Sequence, residues 1–141
     1  MKRSLLISIA IGLCGCAAVQ PDRFADGGTP DAQALEKHVE ERAARLLGPG
    51  ERLAVDITAL DRAGRTEPWR QGLGNVRVVR DVYPARIDLE FRVTGADGAL
   101  LKEGKRSLRD LPVADAGVYG NDPLRYERAL LDEWLERELR R

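Results

Sequence analysis

The sequence predicts an α+β domain: an antiparallel sheet of about four strands, with an N-terminal and a C-terminal helix packed on one face. Two observations lead there. Helical periodicity opens and closes the body of the chain, and two-residue alternation fills its middle, in the order helix, strand, strand, strand, strand, helix. Strands that follow one another without intervening helices pair antiparallel, and their apolar side needs helices to cover it. A third observation is negative. There is no βαβ alternation and no glycine-rich phosphate loop.

Each element has its own signals. Thr29-Pro30 reads as a cap followed by a first-turn proline, with Asp31 where the helix dipole favours an anion. Leu35, Val39, Ala43, Leu46 and Leu47 then repeat at helical spacing until Gly48-Pro49-Gly50 stops them. Leu53, Val55 and Ile57 alternate with polar or small residues as a half-buried strand. A long loop runs from Asp61 to Asn75, with turn signals at Ala63-Gly64 and Gly72-Leu73-Gly74-Asn75, and a short strand is expected over Val76–Arg80. Ile87, Leu89, Phe91 and Val93 alternate with Asp88, Glu90 and Arg92, the clearest strand in the chain. Ala96-Asp97-Gly98 is a hairpin turn, and the return strand from about Ala99 to Leu108 alternates poorly, as an edge strand does. After a second loop, Asp122-Pro123 caps a final helix whose apolar face is Leu124, Leu131, Trp134, Leu135 and Leu139. The uncovered sheet face should carry Asp56, Asp88, Glu90 and Arg92.

The chain of 141 residues has 23 basic and 23 acidic side chains, so it lacks the basic excess of a nucleic-acid binder. Its start is different in kind. Lys2 and Arg3 precede the apolar run Leu5–Leu13, which is too short to span a membrane and has the form of an export signal. Leu13-Cys14-Gly15-Cys16 resembles the lipobox of bacterial lipoproteins. The resemblance implies a diacylglyceryl group on Cys16, cleavage before it and acylation of the new amine, with palmitate among the acyl chains. Two or more acyl chains anchor stably, at roughly 0.8 kcal/mol per buried methylene. Cys14 leaves with the signal, because Leu13 is too large for the cleavage position. The expected organisation is a signal peptide over 1–15, a lipid-anchored tether over 16–30 and one α+β domain over 31–141. Ala17 after the lipidated cysteine points to the outer membrane, facing the periplasm. Phe24 can dock the tether on the domain.

Four stretches together resemble a known family: Val55–Gly64, Glu67-Pro68-Trp69-Arg70, Val76–Ile87 and Asn121–Glu127, with Pro21–Asp26 resembling its opening segment. They are similar to the exported bacterial proteins catalogued as domain of unknown function 3016. The resemblance implies a compact periplasmic α+β domain and no activity, so it supplies no catalytic residues.

Side-chain chemistry adds little that is sharp. His38 is the only histidine and reads as a helix-boundary residue, and without thiolates it cannot make the usual zinc set. Asp56, Asp61, Asp81 and Glu67 lack the spacing of a calcium loop and are expected to cap turns and pair with Arg62, Arg65 and Arg77. Ser107, alone in the mature chain, has no nucleophile motif around it. No catalytic residue, metal or cofactor is expected. Trp69 and Arg70, in a long loop, are of the residue types that dominate binding hot spots, and Tyr83 and Tyr119 join them as partner-binding candidates. The expectation is a non-enzymatic, lipid-anchored binding or adaptor domain for an envelope protein or cell-wall partner. The alternative is an envelope hydrolase or an accessory subunit of an envelope enzyme.

The lipidation reading has a direct test. Palmitate label and membrane fractionation should both disappear in Cys16→Ser, and label entering the variant as well as the wild type would show that the anchor lies elsewhere.

Overall fold

Ile87, Leu89, Phe91 and Val93 all turn to one side of the central strand, and two helices cover that side. The computed structural model describes residues 25–26, 28–67, 69 and 77–140. Cys16, Phe24, Arg70 and the turn signal at 72–75 lie outside them. The elements are β1 (Ala25–Asp26), α1 (Pro30–Ala43), β2 (Arg52–Asp61), β3 (Arg65–Thr66), β4 (Arg77–Val78), β5 (Ala85–Thr94), β6 (Leu100–Asp110), a short α2 (Val113–Ala116) and α3 (Arg125–Leu139). The main sheet is antiparallel in the order β1-β2-β5-β6, and β3 and β4 form a separate two-stranded ribbon.

Three boundaries differ from the sequence expectation. Of the strand expected over Val76–Arg80, Arg77 and Val78 form the ribbon with Arg65 and Thr66, and the fourth strand of the main sheet comes from the segment expected to be a tether, where Ala25 and Asp26 pair with Leu60 and Ala59. α1 ends at Ala43, so Leu46 is exposed and Leu47 only half-buried. α3 starts at Arg125 rather than at Asp122-Pro123. Asp122 instead forms the turn ahead of it, accepting from the Leu124 N–H at 2.7 Å and from Arg128 Nε at 3.0 Å. The second loop also contains α2 and a 3-10 turn.

The capping chemistry of α1 is as read: Thr29 Oγ1 accepts the Ala32 N–H at 3.2 Å and Pro30 occupies the first turn. Its face of Ala32, Leu35, Val39 and Ala43 is buried against β2 and α3. A β-bulge between Ile57 and Ala59 shifts the alternation of β2 by one residue. Leu60 therefore enters the core and Asp61 faces out, where unbroken alternation would reverse them. At the bulge, the Ile57 N–H donates to Glu36 Oε1 on α1 at 2.9 Å, so the irregularity is fastened to the helix above it. The hairpin after β5 turns at Gly98, φ +79°, with Asp97 Oδ1 accepting the Ala99 N–H.

The other sheet face is a charge ladder. Glu90 lies opposite Lys105, Arg92 opposite Glu103 and Asp88 opposite Ser107, each pair in contact. On the helix side, the edge strand β6 is fastened by Glu138 of α3. Its two oxygens accept from Arg106 Nε and Nη2 at 2.9 Å each, and Lys102 lies 2.7 Å away. No helix among the described residues is long and apolar enough to cross a membrane.

Phe91 is 4% exposed and meets Trp134 edge to face at 5.5 Å between centroids. Phe91→Ala should cost about 3–5 kcal/mol in urea melts. Glu90→Ala should stay within about 0.5 kcal/mol, since it loses an exposed pair with Lys105 but also its like-charged neighbour Asp56 across the ladder. Equal effects would contradict the assignment of faces.

Candidate functional site

One corner, Arg62-Ala63-Gly64, organises the loop end of the sheet. There the chain leaves β2 and enters the ribbon. Gly64 has φ +79°, and a Cβ on it would lie 2.6 Å from the Val78 carbonyl oxygen and 2.9 Å from Val79 Cγ2, so both conformation and space require glycine. Ala63 is buried, and buried backbone groups need partners. Its N–H donates to Glu127 Oε1, on the first turn of α3, at 2.7 Å. Its carbonyl accepts from Arg77 Nε at 2.7 Å, and the Arg62 carbonyl accepts from Arg77 Nη2 at 2.9 Å. The Gly64 N–H donates to the Tyr83 carbonyl at 2.9 Å. Arg62 itself reaches the Pro123 carbonyl at 2.6 Å and Asp31 Oδ2 at 3.2 Å.

Glu127 is 1% exposed, and its Oε2 has no hydrogen-bond partner among the described residues. Burial holds its pKa above the ordinary carboxylate range, against the opposing pull of the Ala63 N–H and of Arg62 and Arg77. Burial, with Arg62 next, lowers the pKa of Arg77.

Residues 20–137 match the family model described as Protein of unknown function (DUF3016). The chain belongs to this family. No curated protein and no solved structure matches it. In this DUF3016 domain, three of the stretches that carry the resemblance meet at the corner: Val55–Gly64 supplies it, Val76–Ile87 brings Arg77 and Tyr83, and Asn121–Glu127 brings Pro123 and Glu127.

Beside the corner opens a cavity of about 330 Å3, lined by Asp61, Arg62, Arg65, Tyr83, Arg86 and Arg109 among others. The Arg65 guanidinium lies over the Tyr83 ring, 5.4 Å from its centroid. Arg86 and Arg109 stand directly opposite each other on β5 and β6, and Asp61 stands opposite Arg86 on β2. Tyr83 thus lines a basic pocket, while Trp69, three residues beyond β3, is 70% exposed. Glu67, just before the Trp69 turn, is buried and bonded to Arg80 at 3.2 Å, which fastens the base of the excursion. Arg70 lies outside the described residues.

Tyr119 belongs to a different cluster. Its hydroxyl donates to Asp132 Oδ2, and His38 Nε2 lies 2.9 Å from Asp132 Oδ1 and 3.3 Å from the Tyr119 oxygen. The His38 and Tyr119 rings meet edge to face at 5.6 Å. Burial is the largest influence on Asp132 and pushes its pKa up, but the bonds from His38 and Tyr119 and the charges of His38 and Arg42 outweigh it, and the net direction is down. Burial, then the bond to Asp132, pushes the Tyr119 phenol up. Tyr119, Arg42 and Asp132 line a cavity of about 240 Å3 that shares no lining residue with the basic pocket. Sequence reading missed this network because its members are 81 and 94 residues apart. Among the carboxylates considered for metal, Glu67 pairs with Arg80, and no group of metal-ligating side chains occurs among the described residues.

Glu127 yields a prediction with a definite sign. Its folded pKa is raised, so above pH 4.5 the unfolded chain releases this proton before the folded one does, and the group's contribution to stability falls as pH rises. Glu127→Gln keeps an acceptor for the Ala63 N–H and removes the titration. The stability of wild type minus Glu127→Gln, from urea melts, should fall from pH 4.5 to neutrality. A flat difference would show ordinary ionisation. Glu127→Ala, which strands the Ala63 N–H, should cost about 1–3 kcal/mol.

Proposed function

We propose that this DUF3016 chain is a non-enzymatic binding or adaptor domain of the bacterial envelope, held by lipid on Cys16 at the periplasmic face of the outer membrane. Its partner is another envelope protein or cell-wall material, met at the loop end of the sheet. The observation that carries this reading is Trp69, 70% exposed on an excursion whose base is fastened by a buried carboxylate. Val82, 71% exposed, adds apolar surface from the same loop system. A large amphipathic ring held out to solvent on an anchored base is the form of an interface anchor. Tyr83 and its stacked Arg65 add an aromatic and a cation to the same end.

The alternative, an envelope hydrolase or an accessory subunit, draws support from the His38–Asp132 pair beside a cavity. The imidazole Nε2, however, is engaged by both Asp132 and Tyr119. Ser107 lies on the uncovered sheet face, bonded to Asp88, and cannot serve as its nucleophile.

Trp69→Ala separates anchor from packing residue. Crosslinking in cells followed by mass spectrometry should lose partners in the variant, with roughly a thirtyfold drop in affinity for about 2 kcal/mol, while the melting temperature is nearly unchanged. A large drop in melting temperature, with capture intact where the variant is folded, would overturn the docking role.

A further inference from the structure

We propose that the basic pocket beside the Ala63-Gly64 corner is a binding site for a phosphate group, free or esterified, held chiefly by Arg86 and Arg109 with Arg65 at its rim. The proposal rests on reading the loop end as a recognition surface and names a ligand class for it.

Charge comes first. The chain as a whole has equal numbers of acids and bases, yet the pocket is lined by four arginines and a single carboxylate, Asp61. The two terminal nitrogens of Arg62 are taken by Asp31 and the Pro123 carbonyl, and its Nε is buried without a hydrogen-bond partner among the described residues, so Arg62 contributes field more than accessible donors. Arg65 presents one face to the Tyr83 ring, which leaves the N–H edge of its guanidinium for an acceptor.

Register supplies the second, independent argument. Along the uncovered sheet face, β5 and β6 match charge with charge or hydroxyl at Arg92 and Glu103, Glu90 and Lys105, and Asp88 and Ser107. The ladder then breaks at its pocket end, where Arg86 faces Arg109. Like charges directly opposite one another destabilise a sheet. Arg86 has Asp88 at 3.5 Å on its own strand, but Arg109 has no ion pair among the described residues. Directly opposite residues have Cβ atoms about 4.5–5.5 Å apart, so both forks can meet oxygens of one tetrahedral anion. A dianion with three terminal oxygens answers several guanidinium groups at once, which a single carboxylate does not. The volume of about 330 Å3 holds a phosphate group with a small organic body.

The test is titration of the purified full-length protein with inorganic phosphate, glycerol 3-phosphate and citrate at constant ionic strength, read by calorimetry and phosphorus line broadening. Saturable binding of either phosphate species, at or below about 1 mM, is expected. The tighter of the two identifies the source as free or esterified phosphate. Arg86→Gln and Arg109→Gln should each weaken it at least tenfold, and Arg92→Gln, at a matched position of the same ladder, should leave it unchanged. Arg109→Gln lies on an exposed edge and loses no ion pair among the described residues, so it should keep the wild-type circular dichroism and an unliganded melting temperature no lower than wild type. No saturable binding, tighter binding of citrate than of both phosphates, or equal loss in Arg92→Gln would overturn the proposal. Phosphate binding that fails while Trp69-dependent partner capture persists removes the ligand assignment alone. Capture that fails while phosphate binding persists removes the docking reading alone.

Discussion

The hydrogen bond from the Ala63 N–H to the Glu127 carboxylate is the contact on which the loop end depends. A chain that turns sharply inside a protein must satisfy the backbone groups it buries. At this corner the regular ladder stops, so the partners have to be side chains and a distant carbonyl. Glu127 takes the N–H, Arg77 takes two carbonyls, and the Tyr83 carbonyl takes the Gly64 N–H. These groups bind α3, the ribbon and the segment before β5 to one point. The cost is a carboxylate buried with one oxygen unpaired among the described residues, and the nearby charges of Arg62 and Arg77 offset part of it. Gly64 has no substitute, because any Cβ would strike the ribbon.

From this corner outward the sheet separates two kinds of energetics. The helix side is apolar and close-packed around Leu35, Ile57, Ile87, Leu89, Leu131 and Leu135. Its stability comes from area removed from water, and the bulge in β2 serves that end by turning Leu60 inward. The open side is held by exposed cross-strand pairs, each of small worth. Stability therefore rests with one face and leaves the other free to vary in charge. The break in the ladder at Arg86 and Arg109 lies on the free face. A locally unfavourable arrangement is tolerable there because the core beneath it does not depend on it.

How much of this was legible follows from where the signals sit. Local signals are enough for the start of α1 and for the hairpin: Thr29-Pro30-Asp31 and Asp97-Gly98 act over a few residues, and the structure uses them as read. The alternation of β5 is equally plain because Ala85, Ile87, Leu89, Phe91 and Val93 keep one phase along the whole strand. The bulge is hidden, since Thr58, Ala59 and Leu60 beyond Ile57 are small or apolar at both phases, and only Glu36, across on α1, shows which N–H leaves the ladder. The pairing of the ribbon is hidden for a related reason. Val76–Arg80 has strand composition, but composition does not name a partner, and the partner proved to be Arg65–Thr66. His38 reads in the sequence as a boundary residue and its burial is intermediate, but its bonds to Asp132 and Tyr119 join three segments that no short window contains.

The same reasoning explains why the family's stretches carried more information than the chemistry of any one residue. Asp122-Pro123 looked like a helix cap, and Glu127 like one more acid on a helix of mixed charge. Their use became visible only when Pro123 was found accepting from Arg62, and Glu127 accepting from Ala63, across the domain. An Arg at position 62 and an acid at position 127 are unremarkable in a sequence in which a third of the residues are charged. Folded together, they hold the wall of the basic pocket. The arginines that line that cavity are thus of two kinds. Arg62 is structural, tied to Asp31 and to the backbone of the α3 entry. Arg109 has no such duty among the described residues, and its positive charge is repelled by its neighbour on β5. A structural role accounts for the first and leaves the second unexplained, and the simplest physical use for a cation kept beside another cation is an anion between them.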